Sequence, residues 1–156
     1  MPVRWMSEND AREFLAGQTE GRLATCNAAG DPYITPLNYL YREGKLYFHS
    51  KLIGKKLDNI VENSRVCFET SAVEKITVSI DRPCACSTRY TCVLAFGAAR
   101  LLSDDAEKTT LLNLLVEKYA GGKSFEPVEQ RHAADCAVVE IRIDEISGKM
   151  NVDPGA

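Results

Sequence analysis

Between residues 21 and 50 the sequence alternates short β-prone segments with tight turn signals. The turn residues are Ala29-Gly30-Asp31-Pro32 and Glu43-Gly44. They separate three segments that we predict to be strands, at 22–27, 33–41 and 45–50. Connections this short join antiparallel neighbours, because parallel strands need a long crossover. The beginning of the chain is therefore expected to form a continuous antiparallel sheet.

Three other segments have the periodicity of amphipathic helices. The first is expected to be capped by Ser7, and the second is a short helix that begins at Gly54. The third, at 104–120, has a broad leucine-rich face and is stopped by Gly121-Gly122. These helices are too few to dominate the fold.

Further strand patterns follow the second and third helices. We predict strands at 65–70, at 75–80, at 91–102 with a bend at Gly97, and after residue 136. In the last strand apolar and polar residues alternate, which predicts one dry face, with Glu140, Arg142 and Asp144 on the other. The sequence thus indicates a mainly β fold, a closed or nearly closed antiparallel barrel with flanking helices. An α+β sandwich with both main helices on one face is the alternative.

The composition limits the class of protein. The chain has 156 residues, a formal net charge of −3 and a sequence pI of about 5.5, so we expect no binding to nucleic acids, which rests on many basic residues. No linker or repeat divides it, and we expect one domain over 1–156. No segment has the roughly 18 consecutive apolar residues of a membrane helix, and residues 1–10 lack a signal peptide's apolar run. A cytoplasmic protein that binds no membrane is expected.

In that compartment the six cysteines are expected to be free thiols. Cys84 and Cys86 are separated by one residue, whereas zinc ligands are usually separated by two to four. We therefore expect no metal ion. A redox switch that joins Cys84 to Cys86 remains an alternative.

Lysines cluster where the strand at 45–50 leads into the second helix. Lys51, Lys55 and Lys56 lie at or near the helix start, where cations oppose the positive end of the helix dipole. A bound anion would reverse this penalty, because ammonium groups, free N–H groups and the Ser50 hydroxyl would surround it. The pattern favours a phosphate site, and a hydrated lysine cluster is the alternative.

The segment at 33–41 has prolines at positions where a central strand needs N–H donors. Pro36, with Pro32 before it, therefore indicates an edge strand or barrel rim, where the Asn38 amide is available to a planar polar ligand. His49 is predicted to face away from Phe48 and could contact a ligand or bind an iron. His132 lies in a polar run and is expected to be solvated.

Several catalytic motifs are missing from the sequence. It has no Gly-x-Ser-x-Gly nucleophile elbow, no dinucleotide fingerprint and no P-loop. Difficult chemistry would therefore need a bound cofactor.

The ordered set of these segments resembles the pyridoxamine 5′-phosphate oxidase-like FMN-binding proteins, in particular their nitroimidazole-resistance (Nim-type) branch. The resemblance extends from about residue 12 to about residue 150. It is carried by Gly21-Arg22-Leu23-Ala24-Thr25, Pro36-Leu37-Asn38-Tyr39, Tyr47-Phe48-His49-Ser50, Gly54-Lys55-Lys56-Leu57, Cys84-x-x-Ser87-x-x-Tyr90, Gly97 and Lys118-Tyr119. Lys51 and Cys92 depart from it, since relatives commonly have a small residue and a serine there.

The resemblance implies a six-stranded split barrel and a homodimer with two FMN sites between the subunits. The flavin ring would lie along Thr35, Pro36, Leu37 and Asn38, and the phosphate would be held by His49, Ser50, Lys55 and Lys56. The other subunit would contribute Ser87, Tyr90 and Cys92.

The expected function is that of an FMN-dependent oxidoreductase that reduces a small electrophilic compound such as a nitroaromatic, with a nicotinamide as electron donor. Oxidation of vitamin B6 is not expected, because the true oxidase's substrate-phosphate residues are not identifiable. The alternatives are a haem-binding or haem-degrading protein with His49 as ligand, and a non-enzymatic flavin carrier or sensor.

Overall fold

One antiparallel sheet contains every strand in residues 3–82 and 86–151, which are the residues that this computed structural model describes. Its order is β3-β2-β6-β7-β8-β5-β4, and β1 pairs with β8. The strands are β1 (Val3–Trp5), β2 (Gly21–Cys26), β3 (Pro32–Leu37), β4 (Leu40–Arg42), β5 (Lys45–Ser50), β6 (Arg65–Thr77), β7 (Ser87–Leu101) and β8 (Ala137–Asn151). The predicted mainly β architecture is confirmed.

The two ends of this sheet are consecutive in the chain. β3 and β4 are joined only by Asn38 and Tyr39, a link too short to cross an open sheet. The sheet must therefore curl until its edges face each other, which makes it a split barrel. Six of its strands have six or more residues, which matches the six-stranded barrel that the resemblance implies. The other two, β1 and β4, have three residues each.

The helices begin and end close to where the sequence predicts. They are α1 (Glu8–Gly17), α2 (Lys55–Glu62), α3 (Asp105–Ala120) and the single turn α4 (Gln130–Ala133). Ser7 caps α1 by accepting a hydrogen bond of 3.1 Å from the Asp10 N–H. Gly121 ends α3 in the left-handed conformation, with φ of 60°. None of the helices in the described segments combines the length and apolar character needed to span a bilayer.

Several predicted strand boundaries were wrong, and the strand predicted to begin at residue 91, for example, begins at Ser87. The segment predicted at 33–41 is broken at Asn38 and Tyr39, because the Tyr39 ring turns into the core and its hydroxyl donates to the Leu15 carbonyl. The segments predicted at 65–70 and 75–80 are joined in one strand, β6, which ends at Thr77 and leaves 78–80 outside it. It pairs with β7 along its whole length and has one bulge, at Glu74.

The main core fills the barrel, and a smaller core lies outside it beneath α3. Phe48 and Phe68 are fully buried inside the barrel, whereas Tyr47 and Val138 pack against α3 on the outer face. β5 and the first part of β8 are consequently covered on both sides. The predicted polar face of β8 is wrong at Glu140, whose side chain is only 6% exposed.

Gly97 lies at an irregularity in the pairing of β7 with β8, at the position where the sequence predicts a bend. The register shifts there by one residue, because Phe96 is opposite Glu145 and Gly97 is opposite Ile143. A Cβ atom at position 97 would overlap the Arg142 carbonyl oxygen. The two backbones therefore approach more closely here than a side chain allows.

Candidate ligand-binding site

A cleft of about 930 Å³ opens on the outside of the barrel, between the β3–β4 corner and α3. Its barrel wall consists of Pro36, Leu37 and Asn38 from the end of β3 and the link after it, His49 from β5 and Lys56 from α2. Each of these residues is a candidate from the sequence, although they lie in three separate elements. The fold thus brings five of the predicted site residues onto one wall.

His49 reaches this wall because of the alternation of β5. Phe48 is fully buried in the barrel, and the next residue, His49, faces outward and is exposed. α3 covers the outer face at Tyr47, two residues earlier, and leaves the imidazole at the cleft.

The start of α2 has no side-chain cap. Gly54 precedes the helix with φ of 150°. The Leu57 and Asp58 N–H groups bond to the Gly54 carbonyl, at 2.8 and 3.1 Å. The N–H groups of the first helical residues are available to an external acceptor.

The two helix lysines point in different directions. The Lys55 ammonium group lies 5.3 Å from the centre of the Tyr33 ring on β3, whereas Lys56 lines the cleft. Adjacent residues on a helix are about 100° apart, which explains the divergence. Ser50, at the end of β5, is half-buried and is not part of the cleft lining, nor is Thr35.

The other wall comes from α3 and from the segment that follows it. Leu112, Leu115, Val116, Phe125 and Val128 make most of it apolar. Tyr119, Ala120, Lys123, Ser124, His132 and Cys136 complete it. The sequence analysis missed this wall and expected His132 only to be solvated, although His132 is exposed and also lines the cleft. Phe125 and Val128, two isolated apolar residues in a polar run, are the signal that could have shown it.

Tyr119 connects this wall to the β3–β4 corner. Its hydroxyl accepts a hydrogen bond from the Tyr39 N–H at 2.9 Å and donates to the Thr19 carbonyl at 2.6 Å. Next to it, the Lys118 ammonium group donates to the carbonyls of Gln18 and Tyr39, and burial lowers the pKa of Lys118. The corner that carries Asn38 is therefore held by the end of α3.

The cleft lining contains cations but no carboxylates. Lys56 and Lys123 contribute two positive charges and His49 and His132 two imidazoles, whereas no described lining residue is Asp or Glu. The whole chain has a net charge of −3. Such a local reversal of charge favours an anionic ligand.

Three predicted site residues, all on β7, lie away from this cleft. Ser87 and Tyr90 are near the start of β7, where Tyr90 is opposite Val73. The Cys92 sulfur lies 3.8 Å from a Glu69 carboxylate oxygen, and burial raises the pKa of this thiol. None of the three lines the cleft of its own chain.

The cysteines form no disulfide among the residues that the structure describes. Cys26, Cys67, Cys86, Cys92 and Cys136 are free. Cys84, one half of the redox switch considered above, lies outside the described residues. Within 3–82 and 86–151, no three His, Cys, Asp or Glu side chains are grouped so that they could hold a metal ion.

The fold is shared with solved structures at low sequence identity. A candidate 5-nitroimidazole antibiotic resistance protein from Bacteroides thetaiotaomicron is 20% identical and superposes with a TM-score of 0.80 over 96% of this chain and 89% of its own. An FAD-binding protein from Mesorhizobium loti is 24% identical and superposes with a TM-score of 0.73 over 97% of this chain and 100% of its own. An FAD and heme binding protein from Mycobacterium smegmatis is 17% identical and superposes with a TM-score of 0.83 over 98% of this chain and 75% of its own.

Sequence comparison identifies the family. No curated protein matches the chain significantly. The profile of the family described as pyridoxamine 5′-phosphate oxidase matches residues 7–150, from the N-terminal cap of α1 to the penultimate residue of β8. The chain therefore belongs to the pyridoxamine 5′-phosphate oxidase family.

Proposed function

We propose that this chain binds FMN in the cleft and acts as an oxidoreductase that reduces a small electrophilic compound such as a nitroaromatic. The observation that carries the proposal is the barrel wall itself. Asn38, His49 and Lys56 come from separate elements, and they share one surface that has no carboxylate. A flavin phosphate and a polar planar ring need such a combination of cations and amide.

The cleft fits an FMN molecule in size, charge and donor groups. Its volume of about 930 Å³ is at the upper end of the usual range for small-molecule sites. Lys56 and the uncapped start of α2 would bind the phosphate, with Lys55 close by. The rim residues Pro36, Leu37 and Asn38 would hold the ring, where the Asn38 amide can donate and accept hydrogen bonds.

The protein and the cofactor would divide the work. Bound flavin supplies the electron-transfer chemistry, with a nicotinamide as the source of electrons. The chain's own part is to orient the ring at Asn38 and to keep water away with the apolar α3 wall. Because the reaction needs no protein nucleophile, the lack of a nucleophile motif is consistent with this role.

We further propose a homodimer in the cytoplasm, in which a second copy completes each site. The hairpin between β6 and β7 exposes Val73, Ile76, Val78 and Ile80, each at least 62% exposed. A row of apolar side chains this open favours a protein interface. Ser87, Tyr90 and Cys92 lie beside this hairpin, so a second copy could bring them to the flavin.

Absorbance and binding measurements test the cofactor. Purified protein should be yellow or become so on addition of FMN. The double variant Lys55→Ala with Lys56→Ala should lose more affinity for FMN than for riboflavin, since only FMN has a phosphate. Protein that stays colourless at micromolar FMN would overturn the flavin proposal, and equal losses for both ligands would overturn the placement of the phosphate.

Haem is a second candidate, which the His49 imidazole on the cleft wall favours. One structurally similar protein, from Mycobacterium smegmatis, is an FAD and heme binding protein. A Soret band that disappears in His49→Ala would establish haem ligation. Flavin absorbance that is unchanged in the same variant would favour FMN. A flavin that binds tightly but accepts no electrons from a nicotinamide would indicate a carrier or sensor.

A further inference from the structure

The half of the cleft that lies against α3 is not needed by the flavin contacts proposed above. Leu112, Leu115 and Val116 project from α3 into the cleft, and Phe125 and Val128 face it from the following segment. The Phe125 ring is 38% exposed. An open aromatic and aliphatic surface next to a polar wall is suited to the flat apolar body of a second molecule.

This apolar half also has its own basic groups. Lys123 and His132 line it, far along the chain from the lysines of α2. The nearby carboxylate of Glu129 is 3.0 Å from Arg131, and neither of these two residues lines the cleft. Among the described lining residues, this end of the cleft thus has basic groups and no carboxylate.

We propose that this half is the substrate site and that its substrate is an aromatic molecule with an anionic group such as a carboxylate. The aromatic body packs against Phe125 and Val116, and the anionic group lies at Lys123 and His132. The inference rests on the proposed function, because the flavin must occupy the opposite wall. It adds a substrate class and two specificity-determining groups to that function.

A matched set of three nitroaromatic probes tests the charge preference. FMN-loaded protein is titrated with 4-nitrobenzoate, 4-nitrobenzyl alcohol and 4-nitrobenzyltrimethylammonium, and binding is followed by calorimetry and by the change in flavin absorbance. The anionic probe should bind about fivefold more tightly than the neutral one, as expected for one well-placed but exposed ion pair. This preference should shrink as salt is added, because screening weakens exposed charges.

Three variants locate the site. Lys123→Gln should abolish the preference for 4-nitrobenzoate, and Lys123→Arg should retain it. Phe125→Ala should lower the affinity for all three probes by the same factor, since it removes part of the packing surface and no charge. Arg42→Gln is the control, because Arg42 is an exposed cation that does not line the cleft. Equal affinity for the three probes, or equal effects of Lys123→Gln and Arg42→Gln, would overturn the substrate site.

The failure of this inference can be separated from failure of the flavin proposal. If the protein binds FMN but binds 4-nitrobenzoate no more tightly than the other two probes, the flavin proposal is supported and the substrate-site proposal is refuted. If the protein takes up no flavin, calorimetry with the flavin-free protein measures the same three affinities. A Lys123-dependent preference there would support the anionic site, and its absence would refute it.

Discussion

The Tyr119 hydroxyl accepts a hydrogen bond from the backbone N–H of Tyr39 at 2.9 Å, and its oxygen also lies 2.9 Å from the Tyr39 carbonyl oxygen. Its single proton is directed to the closer Thr19 carbonyl, at 2.6 Å, or is shared between the two carbonyls. One side chain thus ties the end of α3 to the residue that follows Asn38.

Tyr119→Phe should loosen this corner. The variant leaves the Tyr39 N–H without its acceptor, so we expect the free energy of unfolding to fall by about 1–3 kcal/mol. FMN affinity should fall as well, because Asn38 is no longer held in one position. Denaturant titration and FMN binding measure the two effects.

Tyr33→Phe is the matched control for that variant. The Tyr33 hydroxyl makes no hydrogen bond to any described residue, and its ring keeps the contact with Lys55. This variant should change neither stability nor FMN affinity appreciably. Normal stability and FMN affinity in Tyr119→Phe would contradict the role of the corner.

Single lysine variants should separate the two α2 ammonium groups. Lys56→Ala should reduce FMN affinity more than Lys55→Ala, because Lys56 lines the cleft and Lys55 lies over the Tyr33 ring. Fluorescence titration with FMN and with riboflavin measures the contrast. If Lys55→Ala had the larger effect on FMN alone, the phosphate would lie on the Tyr33 side of α2.

Glu140 should make stability depend on pH. Its carboxylate accepts hydrogen bonds from Lys45 at 2.8 Å and from Arg100 at 2.7 Å. Burial alone would raise its pKa, but the bonds from Arg100 and Lys45 outweigh burial and hold the pKa below the ordinary 4.5. The folded state therefore binds this proton more weakly than the unfolded state, and the stabilisation is present at neutral pH and is lost as pH falls below 4.5.

Glu140→Gln measures this contribution directly. At pH 7 the variant should be less stable by about 1–3 kcal/mol, since two cations lose a charged acceptor. The difference from the parent protein should shrink when denaturation is repeated at pH 3. Glu43→Gln, in an exposed pair with Arg42, should have little effect at either pH. A constant difference for Glu140→Gln across this range would show that its charge is not responsible.

Gly97→Ala should destabilise the barrel by about 1–3 kcal/mol, the usual cost of forcing extra atoms into a packed site. The added methyl group would overlap the Arg142 carbonyl oxygen of β8. Gly17→Ala is the comparison, because nothing lies within 4 Å of a Cβ atom there and φ is not in the left-handed region. Thermal unfolding of the two variants should differ clearly, and equal melting temperatures would argue against a close approach at Gly97.

Local signals in the sequence predicted the elements well, but not their environments. The Ser7 cap and the Gly121 stop depend on neighbouring residues only, and both are confirmed. The carboxylate of Glu140 is surrounded by side chains from other strands, Lys45 and Tyr47 of β5 and Arg100 of β7, which are distant from it in the sequence. Alternation along one strand cannot show that both faces are covered.

The candidate site shows the same division. Asn38, His49 and Lys56 could be named in advance, because each lies at a strand or helix boundary with a recognisable pattern. His132 could not, since its place in the cleft depends on how the segment after α3 folds back over the barrel. Long-range packing of this kind leaves almost no local signal.

In the two-residue link between β3 and β4, Asn38 lines the cleft and Tyr39 packs in the core. Asn38 lies in this link, at the one seam of the barrel that is not closed by strand pairing among the described residues. A change of the Asn38 side chain would alter the lining of the cleft without removing a backbone hydrogen bond between strands. Descendants of such a chain can exchange one bound molecule for another while they keep the same scaffold.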